Sequence, residues 1–404
     1  MIKKLFLLPL IMIFILQACE STFEIPADAG VYVKPIGLTA SGGQLTNVIL
    51  NWPAQTNATS YTVYRASSAA GPFTHIDVTT STNYMDSNCT PHITNYYRVT
   101  SYNPTNGDSL PSEIITGSRI GYYVYWTNFG SVGSGLGELN GPKGIYVGED
   151  SYIYIVERYG HRIHKFSPDL NAIAFWGSNG SGPTNFNQPW SIQEDSSGLL
   201  YIADRINSRI QIVTTNGNFI SSWGVNGTNA GEFGTLNYLT ITKNDILYIT
   251  DPGNDKVQVF EKDGTFLFQW GTSGSSPGEF TEPGGIAISD DGFAYVADYY
   301  GNYIQKFTTN GIFEYKIGAN GTGNGEFNNP SDIALDSAGY LYVTDANNHR
   351  VQRFAPNGTF ISKWGSQGIG AGQFNNPRGI WIDKQHRLYV CENVNHRIQV
   401  FKLK

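Results

Sequence analysis

The segment from Pro330 to Trp364, PSDIALDSAGYLYVTDANNHRVQRFAPNGTFISKW, decides the fold of this chain. It contains four short runs of residues that favour β-strands, separated by residues that favour turns. The runs are Ile333 to Leu335, Tyr340 to Thr344, Val351 to Phe354 and Phe360 to Trp364. The pair Asn357-Gly358 between the last two is typical of a tight hairpin. Four consecutive antiparallel strands predict one blade of a β-propeller.

This unit recurs along the chain with a spacing of 47 residues. A fixed period of this size marks repeated units that bury their apolar faces only against each other. Three positions of the repeat make the spacing clear: Pro142, Pro189, Leu236, Pro283, Pro330 and Pro377; Glu157, Asp204, Asp251, Asp298, Asp345 and Glu392; and Phe166, Val213, Phe260, Phe307, Phe354 and Phe401. Six repeats predict a six-bladed β-propeller.

The ends of the propeller are predicted by the same count. A glycine follows the fourth strand at positions 177, 224, 271, 318 and 365, and the next position, 412, lies beyond Lys404. Gly130 lies one period before Gly177 and follows a strand-like run over 122–129. We therefore expect a propeller over 119–404 in which strand 122–129 completes the sixth blade and closes the ring, so that neither end is an open edge.

Two tripeptides give the repeat a family likeness. Asn348-His349-Arg350 in the fifth unit and Asn395-His396-Arg397 in the sixth, together with the glycine-rich loops and the Ala-Asp ends of strands, resemble NHL repeats. The third unit departs from this pattern at Leu236-Asn237-Tyr238, and the fourth has Asn302-Tyr303 in place of His-Arg. The resemblance implies the fold of the repeat, whereas function has to be argued from the site.

The region 32–117 has a different pattern, with strand-like runs at Val48 to Trp52, Ser60 to Arg65 and Tyr96 to Tyr102. This spacing predicts a small β-sandwich. Pro35, Trp52 and the tyrosines resemble the pattern of fibronectin type III domains, which implies a spacer or a protein-binding module. The fold class is therefore all-β: a fibronectin type III-like sandwich followed by the propeller.

The first residues predict export. Lys3 and Lys4 precede an apolar run from Leu5 to Leu16 that is too short to span a bilayer, and Leu16-Gln17-Ala18-Cys19 follows. This motif resembles the lipobox of bacterial lipoproteins, which implies a signal peptide over 1–18, acylation of Cys19 and a tether over 19–31. Acyl chains would anchor the protein to a membrane of the bacterial cell envelope. Because Glu20 rather than aspartate follows the cysteine, an outer-membrane or cell-surface location is expected.

Composition and charge exclude several partners and chemistries. The chain is 40% apolar, contains 46 glycines and has a formal net charge of −7, so neither disorder nor nucleic-acid binding is expected. Cys89 and Cys391 fall in different predicted domains and form no disulfide framework. No cofactor is expected.

Three features that resemble catalytic or metal sites are interpreted as structural. The six acidic residues at the ends of second strands occur in every unit, which favours hydrogen bonding to the backbone of the following loop. His161, His349 and His396 occupy one repeat position in neighbouring units, where sixfold geometry keeps them too far apart for zinc. The glycine-rich loops precede no helix and so form no phosphate cradle. We predict no catalytic residue and no metal ligand.

Candidate binding residues are those that break the repeat on the loop face. The positions after the proline and after the acidic residue gather cationic and aromatic side chains in units six, one and two, with Asp332 in the opposite half. The predicted ligand-binding residues are Lys143, Arg158, Trp190, Arg205 and Arg378. Such a sector suits a protein, peptide or glycan, anionic ones included.

The function predicted from these features is that of a surface-displayed lipoprotein whose propeller binds an extracytoplasmic protein, peptide or glycan. The alternative is a propeller enzyme, a lyase or lactonase-like hydrolase, acting on an extracytoplasmic small molecule. Intracellular ubiquitin ligases and RNA regulators with NHL propellers do not fit the export signal.

Overall fold

The computed structural model describes residues 34–404 apart from 41, 45, 92 and 120. The chain divides into two compact units, Met1–Arg119 and Ile120–Lys404. The predicted signal peptide, the tether and Cys19 lie outside the described residues.

The first unit is built from two β-sheets. Its strands are β1 (Thr39–Ala40), β2 (Gly42–Gln44), β3 (Val48–Asn51), β4 (Ser60–Ala66), β5 (Thr74–Thr79), β6 (Asn83–Asp86), β7 (Asn95–Asn103), β8 (Gly107–Asp108) and β9 (Ile115–Arg119). One sheet has the order β1-β3-β6 and the other β2-β9-β7-β4-β5, with β8 on β7. Residues of β3, β4 and β7 share one apolar core, in which the rings of Trp52 and Tyr61 lie 5.4 Å apart. The unit is therefore a β-sandwich.

The second unit contains all the remaining strands of the described chain. They are β10 (Tyr123–Phe129), β11 (Ser131–Val132), β12 (Glu138–Leu139), β13 (Pro142–Val147), β14 (Ile153–Glu157), β15 (Arg162–Phe166), β16 (Ala172–Trp176), β17 (Pro189–Glu194), β18 (Leu199–Asp204), β19 (Arg209–Thr214), β20 (Phe219–Trp223), β21 (Leu239–Ile241), β22 (Ile246–Asp251), β23 (Lys256–Glu261), β24 (Phe266–Trp270), β25 (Pro283–Ile288), β26 (Phe293–Asp298), β27 (Tyr303–Thr308), β28 (Phe313–Ile317), β29 (Pro330–Leu335), β30 (Leu341–Asp345), β31 (Arg350–Phe354), β32 (Phe360–Trp364), β33 (Pro377–Ile382), β34 (Arg387–Glu392) and β35 (Arg397–Leu403). Two 3₁₀ turns, Arg205–Asn207 and Ala346–Asn348, follow β18 and β30.

Apart from β11 and β12, which pair with each other in parallel, these strands form six four-stranded antiparallel sheets, the blades. Blades 1 to 5 are β13–β16, β17–β20, β21–β24, β25–β28 and β29–β32, and blade 6 has the order β33-β34-β35-β10. The first strand of each blade contacts the first strands of both neighbouring blades, so six inner strands surround a common axis. The residues that face this axis are therefore brought together from all six repeats.

Strand β10 is the outer strand of blade 6 and pairs antiparallel with β35, from Tyr123 opposite Leu403 to Phe129 opposite Ile398. Its ends pack on two further blades. The Tyr123 ring stacks at 5.9 Å on Trp364 of blade 5, and the Phe129 ring lies 4.8 Å from Phe166 of blade 1. One strand thus contributes hydrogen bonds to blade 6 and apolar contacts to both of its neighbours.

The repeated carboxylates are fully buried and hold the inter-blade loops. Asp204 accepts the main-chain N–H of Asn187 at 2.7 Å and the side chains of Arg209 and Gln211 at 2.8 and 3.1 Å. The sequence-based interpretation placed backbone N–H donors in the following loop, and this is wrong for most blades. The backbone donors lie 17 residues earlier, in the loop before the inner strand. The following loop donates instead through the side-chain amides of Asn207, Asn254, Asn348 and Asn395. Asp298 also accepts the N–H of Gly301 from the following loop.

The three repeat histidines link neighbouring blades. The Nδ1 atoms of His161, His349 and His396 accept main-chain N–H groups of Gln188, Asn376 and Gly141 at 3.1 to 3.2 Å. Each bond crosses from one blade to the loop of the next. In the described part of the chain no three His, Cys, Asp or Glu side chains come close enough together to hold a metal ion.

Candidate functional site

A cavity of about 270 Å³ lies at one end of the propeller axis. It is ringed by the residue that follows the repeat proline, one from each blade: Lys143, Trp190, Asn237, Gly284, Ser331 and Arg378. The other lining residues are Arg158, Arg205, Tyr238, Glu282, Tyr299 and Tyr300. We call this the axial cavity.

All five residues predicted from the sequence line the axial cavity, but not in the predicted arrangement. They were expected in loops, as a sector over blades six, one and two. Lys143, Trp190 and Arg378 instead belong to the inner strands β13, β17 and β33, and only 2% of Lys143 and 7% of Trp190 is exposed. Because inner strands meet at the axis, Tyr299 and Ser331 of the opposite blades line the same space. The candidate site is a central cavity rather than one part of a rim.

Trp190 is the centre of the cationic side. Measured to the centre of its ring, the Lys143 ammonium lies at 3.9 Å and the guanidinium carbons of Arg158 and Arg205 at 4.9 and 4.6 Å. Cations are attracted to an indole face, most strongly away from water. Trp190 also belongs to an apolar core cluster with Tyr238 and Phe280. Its ring is thus used to hold cations and is not free to stack on a ligand.

The arginines are oriented by neutral groups. The Nε–H groups of Arg158, Arg205 and Arg378 donate to the side-chain amide oxygens of Gln188, Asn237 and Asn376 at 3.0, 2.9 and 2.6 Å. Amide oxygens fix a guanidinium without cancelling its charge. Within the described residues, the terminal nitrogens of these three side chains have no hydrogen-bond acceptor and no carboxylate within 4 Å.

Negative charge is scarce in the axial cavity. Glu282 is the sole acidic residue among the described residues that line it, and it makes no ion pair. Burial raises the pKa of Glu282 against the opposing effect of Arg205 and Lys143. Burial, together with repulsion from the arginines, lowers the pKa of Lys143 well below its ordinary value and lowers that of Arg205. The cavity therefore carries excess positive charge that an anion would relieve.

Tyr238 forms the floor of the axial cavity. Its hydroxyl lies 3.3 Å from Ser331 Oγ, so the side chain reaches from blade 3 to blade 5. At the equivalent position blades 1 and 6 have Gly144 and Gly379, where a Cβ atom would lie 2.5 Å or less from a carbonyl oxygen of the adjacent inner strand. The missing side chains let the adjacent inner strands approach each other closely at the axis.

Below Tyr238 lies a second cavity of about 150 Å³ along the axis. It is lined by Asp332, whose carboxyl oxygens accept the main-chain N–H groups of Ile333 and Ile380 at 2.9 and 3.0 Å. Burial raises the pKa of Asp332 to about 7, although these hydrogen bonds and Lys143 act in the opposite direction. The axis thus has a cationic mouth and, beneath the tyrosine, a carboxyl group that holds its proton unusually well.

Sequence reasoning missed Tyr238, Glu282 and Tyr299 as site residues. The sequence did contain a sign that one residue from each blade surrounds the cavity. Asn237, Gly284 and Ser331 share the 47-residue spacing with Lys143 and Trp190. A signal was also present for Glu282, because the residue before the repeat proline is uncharged in the other five units.

Comparison with known proteins agrees with this architecture. The model for the NHL repeat matches residues 327–354 and 374–401, and the model for a 6-bladed beta-propeller matches residues 240–292. The chain therefore contains NHL repeats and a six-bladed β-propeller domain in an all-β fold. No helix in the described residues is long and apolar enough to cross a membrane.

Individual relatives are distant. A structural genomics protein of unknown function from Bacteroides thetaiotaomicron is 17% identical, with a TM-score of 0.60. The match covers 91% of this chain and 98% of the Bacteroides chain. An inactive virginiamycin B lyase variant from Staphylococcus aureus is 15% identical, with a TM-score of 0.49. The match covers 78% of this chain and 93% of the lyase chain. These likenesses concern the fold.

One curated relative matches over a short segment. A poly(3-hydroxybutyrate) depolymerase from Ralstonia pickettii is 39% identical over 82 residues, 20% of this chain. The match spans 16% of the length of the depolymerase. Its activity is therefore no guide to the site described here.

Proposed function

We propose that the propeller is a ligand-binding domain whose axial cavity takes an anionic group of an extracytoplasmic peptide, protein or glycan. The observation that carries the proposal is the unbalanced charge of the cavity: Lys143, Arg158, Arg205 and Arg378 against Glu282 alone. Guanidinium groups bind carboxylates through two parallel hydrogen bonds. The unused terminal nitrogens of the arginines suit such an arrangement.

The size of the axial cavity limits what enters it. A volume of about 270 Å³ lies just below the roughly 300–1,000 Å³ that is usual for small-molecule sites. This space admits one acidic sugar unit or one amino-acid residue. A longer ligand would insert only its charged group, and the exposed ring of Tyr300 at the mouth would contact the rest.

Calorimetric titration of the purified full chain with matched pairs of ligands tests this function. Glucuronate against glucose, and a peptide with a free C-terminal carboxylate against its amide, differ only in the anion. Binding of the acids with affinity at least tenfold above their neutral counterparts is expected. Equal binding within both pairs, or binding unchanged in Arg378→Gln, would contradict the proposal.

The alternative function, a propeller enzyme, is supported by two groups in the cavity whose pKa values are shifted. Glu282 holds its proton more tightly than an ordinary glutamate, and Lys143 holds its own less tightly. An acid and an amine whose pKa values are shifted toward each other suit proton transfer. Product formation from a bound lactone or uronide, abolished in Glu282→Gln, would favour this alternative over binding alone.

We propose further that Cys19 is acylated and that the first unit is a fibronectin type III-like spacer holding the propeller away from a bacterial membrane. The lipobox-like Leu16-Gln17-Ala18-Cys19 supports the anchor. The two sheets around Trp52 and Tyr61 support the spacer. In this arrangement the ligand is a component outside the cytoplasm.

A further inference from the structure

We propose that Lys143 forms an imine with the carbonyl group of an oxo acid whose carboxylate is bound by the arginines of the axial cavity. This inference rests on the proposed function, because it uses the same cavity and the same anion-binding groups. It adds a covalent step that the binding proposal does not require.

The surroundings of Lys143 differ from those of Lys165 and Lys256, two other buried lysines. Lys256 donates to the carbonyl oxygens of Thr228 and Asn229 at 3.3 and 3.2 Å, and Lys165 donates to that of Thr215 at 3.1 Å. Among the described residues, the Lys143 ammonium has neither a hydrogen-bond acceptor nor an ion pair, and its nearest partner is the Trp190 ring. A buried lysine without an oxygen acceptor has little to hold its third proton.

Nearby positive charges also favour the neutral form of the Lys143 amine. Lys143, Arg158 and Arg205 all lie on the ring of Trp190, so their charges are within about 10 Å of one another. Repulsion and burial together lower the pKa of Lys143, which leaves more of its amine neutral. Desolvation and a neighbouring cation are the two conditions that make a lysine nucleophilic toward carbonyl groups.

The same cavity supplies an acid for the remaining proton transfers. The lone pair of Lys143 Nζ forms a bond to the carbonyl carbon while the carbonyl π electrons move to oxygen, which takes one proton from the nitrogen. Glu282 then gives its proton to the hydroxyl, which leaves as water as the C=N bond forms. The carboxylate of Glu282 takes the last proton of the nitrogen, so one water is released and Glu282 is restored.

The ligand class follows from the neighbours of the amine. A carbonyl compound that bears a carboxylate a few atoms away places its anion on the guanidinium groups while its carbon reaches Nζ. Neutral aldehydes and ketones have no carboxylate to bind the guanidinium groups. We expect oxo acids, and oxo dicarboxylates above all, because two anions match the excess of cations.

Reductive trapping tests the imine on the full chain. The protein is incubated with 2-oxoglutarate, reduced with sodium borohydride and digested, and the peptides are analysed by mass spectrometry. The expected adduct is the mass of the acid less one oxygen atom, on the peptide that contains Lys143, with no adduct in Lys143→Met. Glutarate, which has both carboxylates but no carbonyl, competes with trapping and yields no adduct.

Lys306 provides an internal control. It is also buried, with its ammonium 3.6 Å from the centre of the Phe293 ring, but it does not line the axial cavity. At least tenfold more adduct is expected on Lys143 than on Lys306. Equal labelling of both would overturn the proposal, because it would reflect general lysine reactivity.

Two further outcomes separate this proposal from the binding function. If calorimetry detects 2-oxoglutarate and glutarate with equal affinity and no adduct forms, the imine is refuted while anion binding stands. If neither acid binds and none is trapped while glucuronate binds, the imine proposal is refuted and the binding function stands. Loss of the adduct in Arg378→Gln with Lys143 intact would support the assigned role of the guanidinium.

Discussion

Lys143 and Trp190 occupy the same repeat position in consecutive blades, and the ammonium of the first lies 3.9 Å from the ring centre of the second. An aromatic ring thus stands where a carboxylate would usually accompany a buried lysine. The ring holds the cation without neutralising it. The pKa of Lys143 is therefore low, and the positive charge that the axial cavity offers to a ligand rests on Arg158, Arg205 and Arg378.

Trp190→Ala is expected to destabilise the propeller by about 3–5 kcal/mol, because the ring is buried in the core and three cations would lose their shared partner. Urea unfolding of the full chain measures the change. Trp190→Phe, which keeps a ring, should cost less. Trp126→Ala removes a tryptophan that is 40% exposed and should change the free energy of unfolding by less than about 1 kcal/mol. A neutral effect of Trp190→Ala would show that the ring is dispensable.

Arg205→Gln and Arg378→Gln are each expected to weaken binding of an anionic ligand by about 1–3 kcal/mol while the fold is retained. Both side chains line the axial cavity and make no ion pair among the described residues whose loss would disturb the structure. Titration at two salt concentrations should also reveal a smaller salt dependence in the variants. Lys243→Gln, at an exposed site away from the cavity, is the control. Wild-type affinity in both arginine variants would refute the site.

Asp332 should make the stability of the protein depend on pH. An aspartate in an unfolded chain has a pKa of about 3.9, whereas burial raises that of Asp332 to about 7. Between these values the folded state binds more protons, so the free energy of unfolding falls as pH rises and levels off above about 7. The fall is on the order of a few kcal/mol, at about 1.4 kcal/mol per pKa unit.

Urea unfolding of the wild type and of Asp332→Asn between pH 4.5 and 8 measures this contribution. The variant should lose the part of the slope that belongs to Asp332, so that its stability relative to the wild type improves as the pH rises. Parallel curves for the two proteins would mean that Asp332 has an ordinary pKa.

Removal of β10 should destabilise the propeller severely. A chain beginning at Ser131 lacks the outer strand of blade 6, which pairs with β35 and packs on Trp364 and Phe166. It leaves an open edge on the sheet. Thermal melting is compared with that of a chain beginning at Arg119, which retains the strand. Equal melting temperatures would refute a role for β10 in stability.

Cys19→Ala is expected to release the protein from membranes, because the acyl chains supply the anchor. Fractionation of cells and labelling with a lipid probe measure the change. Ser21→Ala, two residues away, is the control and should remain membrane-bound. Unchanged fractionation of Cys19→Ala together with unchanged labelling would contradict the anchor.

The repeat was readable from the sequence because it depends on local chemistry. Turn pairs such as Asn357-Gly358 and the 47-residue spacing of Pro142 and its equivalents predicted NHL repeats and a six-bladed propeller, and both are confirmed. The fibronectin type III likeness of the first unit and the acylation of Cys19 stay predictions. The five candidate binding residues were recognised because each breaks the pattern of its own repeat.

The shape of the site was not readable, because it depends on how six repeats face one another. Whether Trp190 stacks on a ligand or holds cations depends on side-chain directions across the axis. Tyr238 of blade 3 contacts Ser331 of blade 5, two repeats further along the chain. No pattern within a single repeat contains that information.

The pairing of β10 with β35 also sets when the propeller can be completed. At roughly 5–20 residues per second, a ribosome needs about 15 to 60 seconds to proceed from Tyr123 to Leu403. For all of that time the first strand of the ring lacks its hydrogen-bonding partner. Blades 1 to 5 are each built from consecutive strands, whereas blade 6 and the closed ring require the final strand. A chain stalled or cleaved before β35 would present an unpaired strand to its neighbours, so full-length synthesis protects this protein from aggregation.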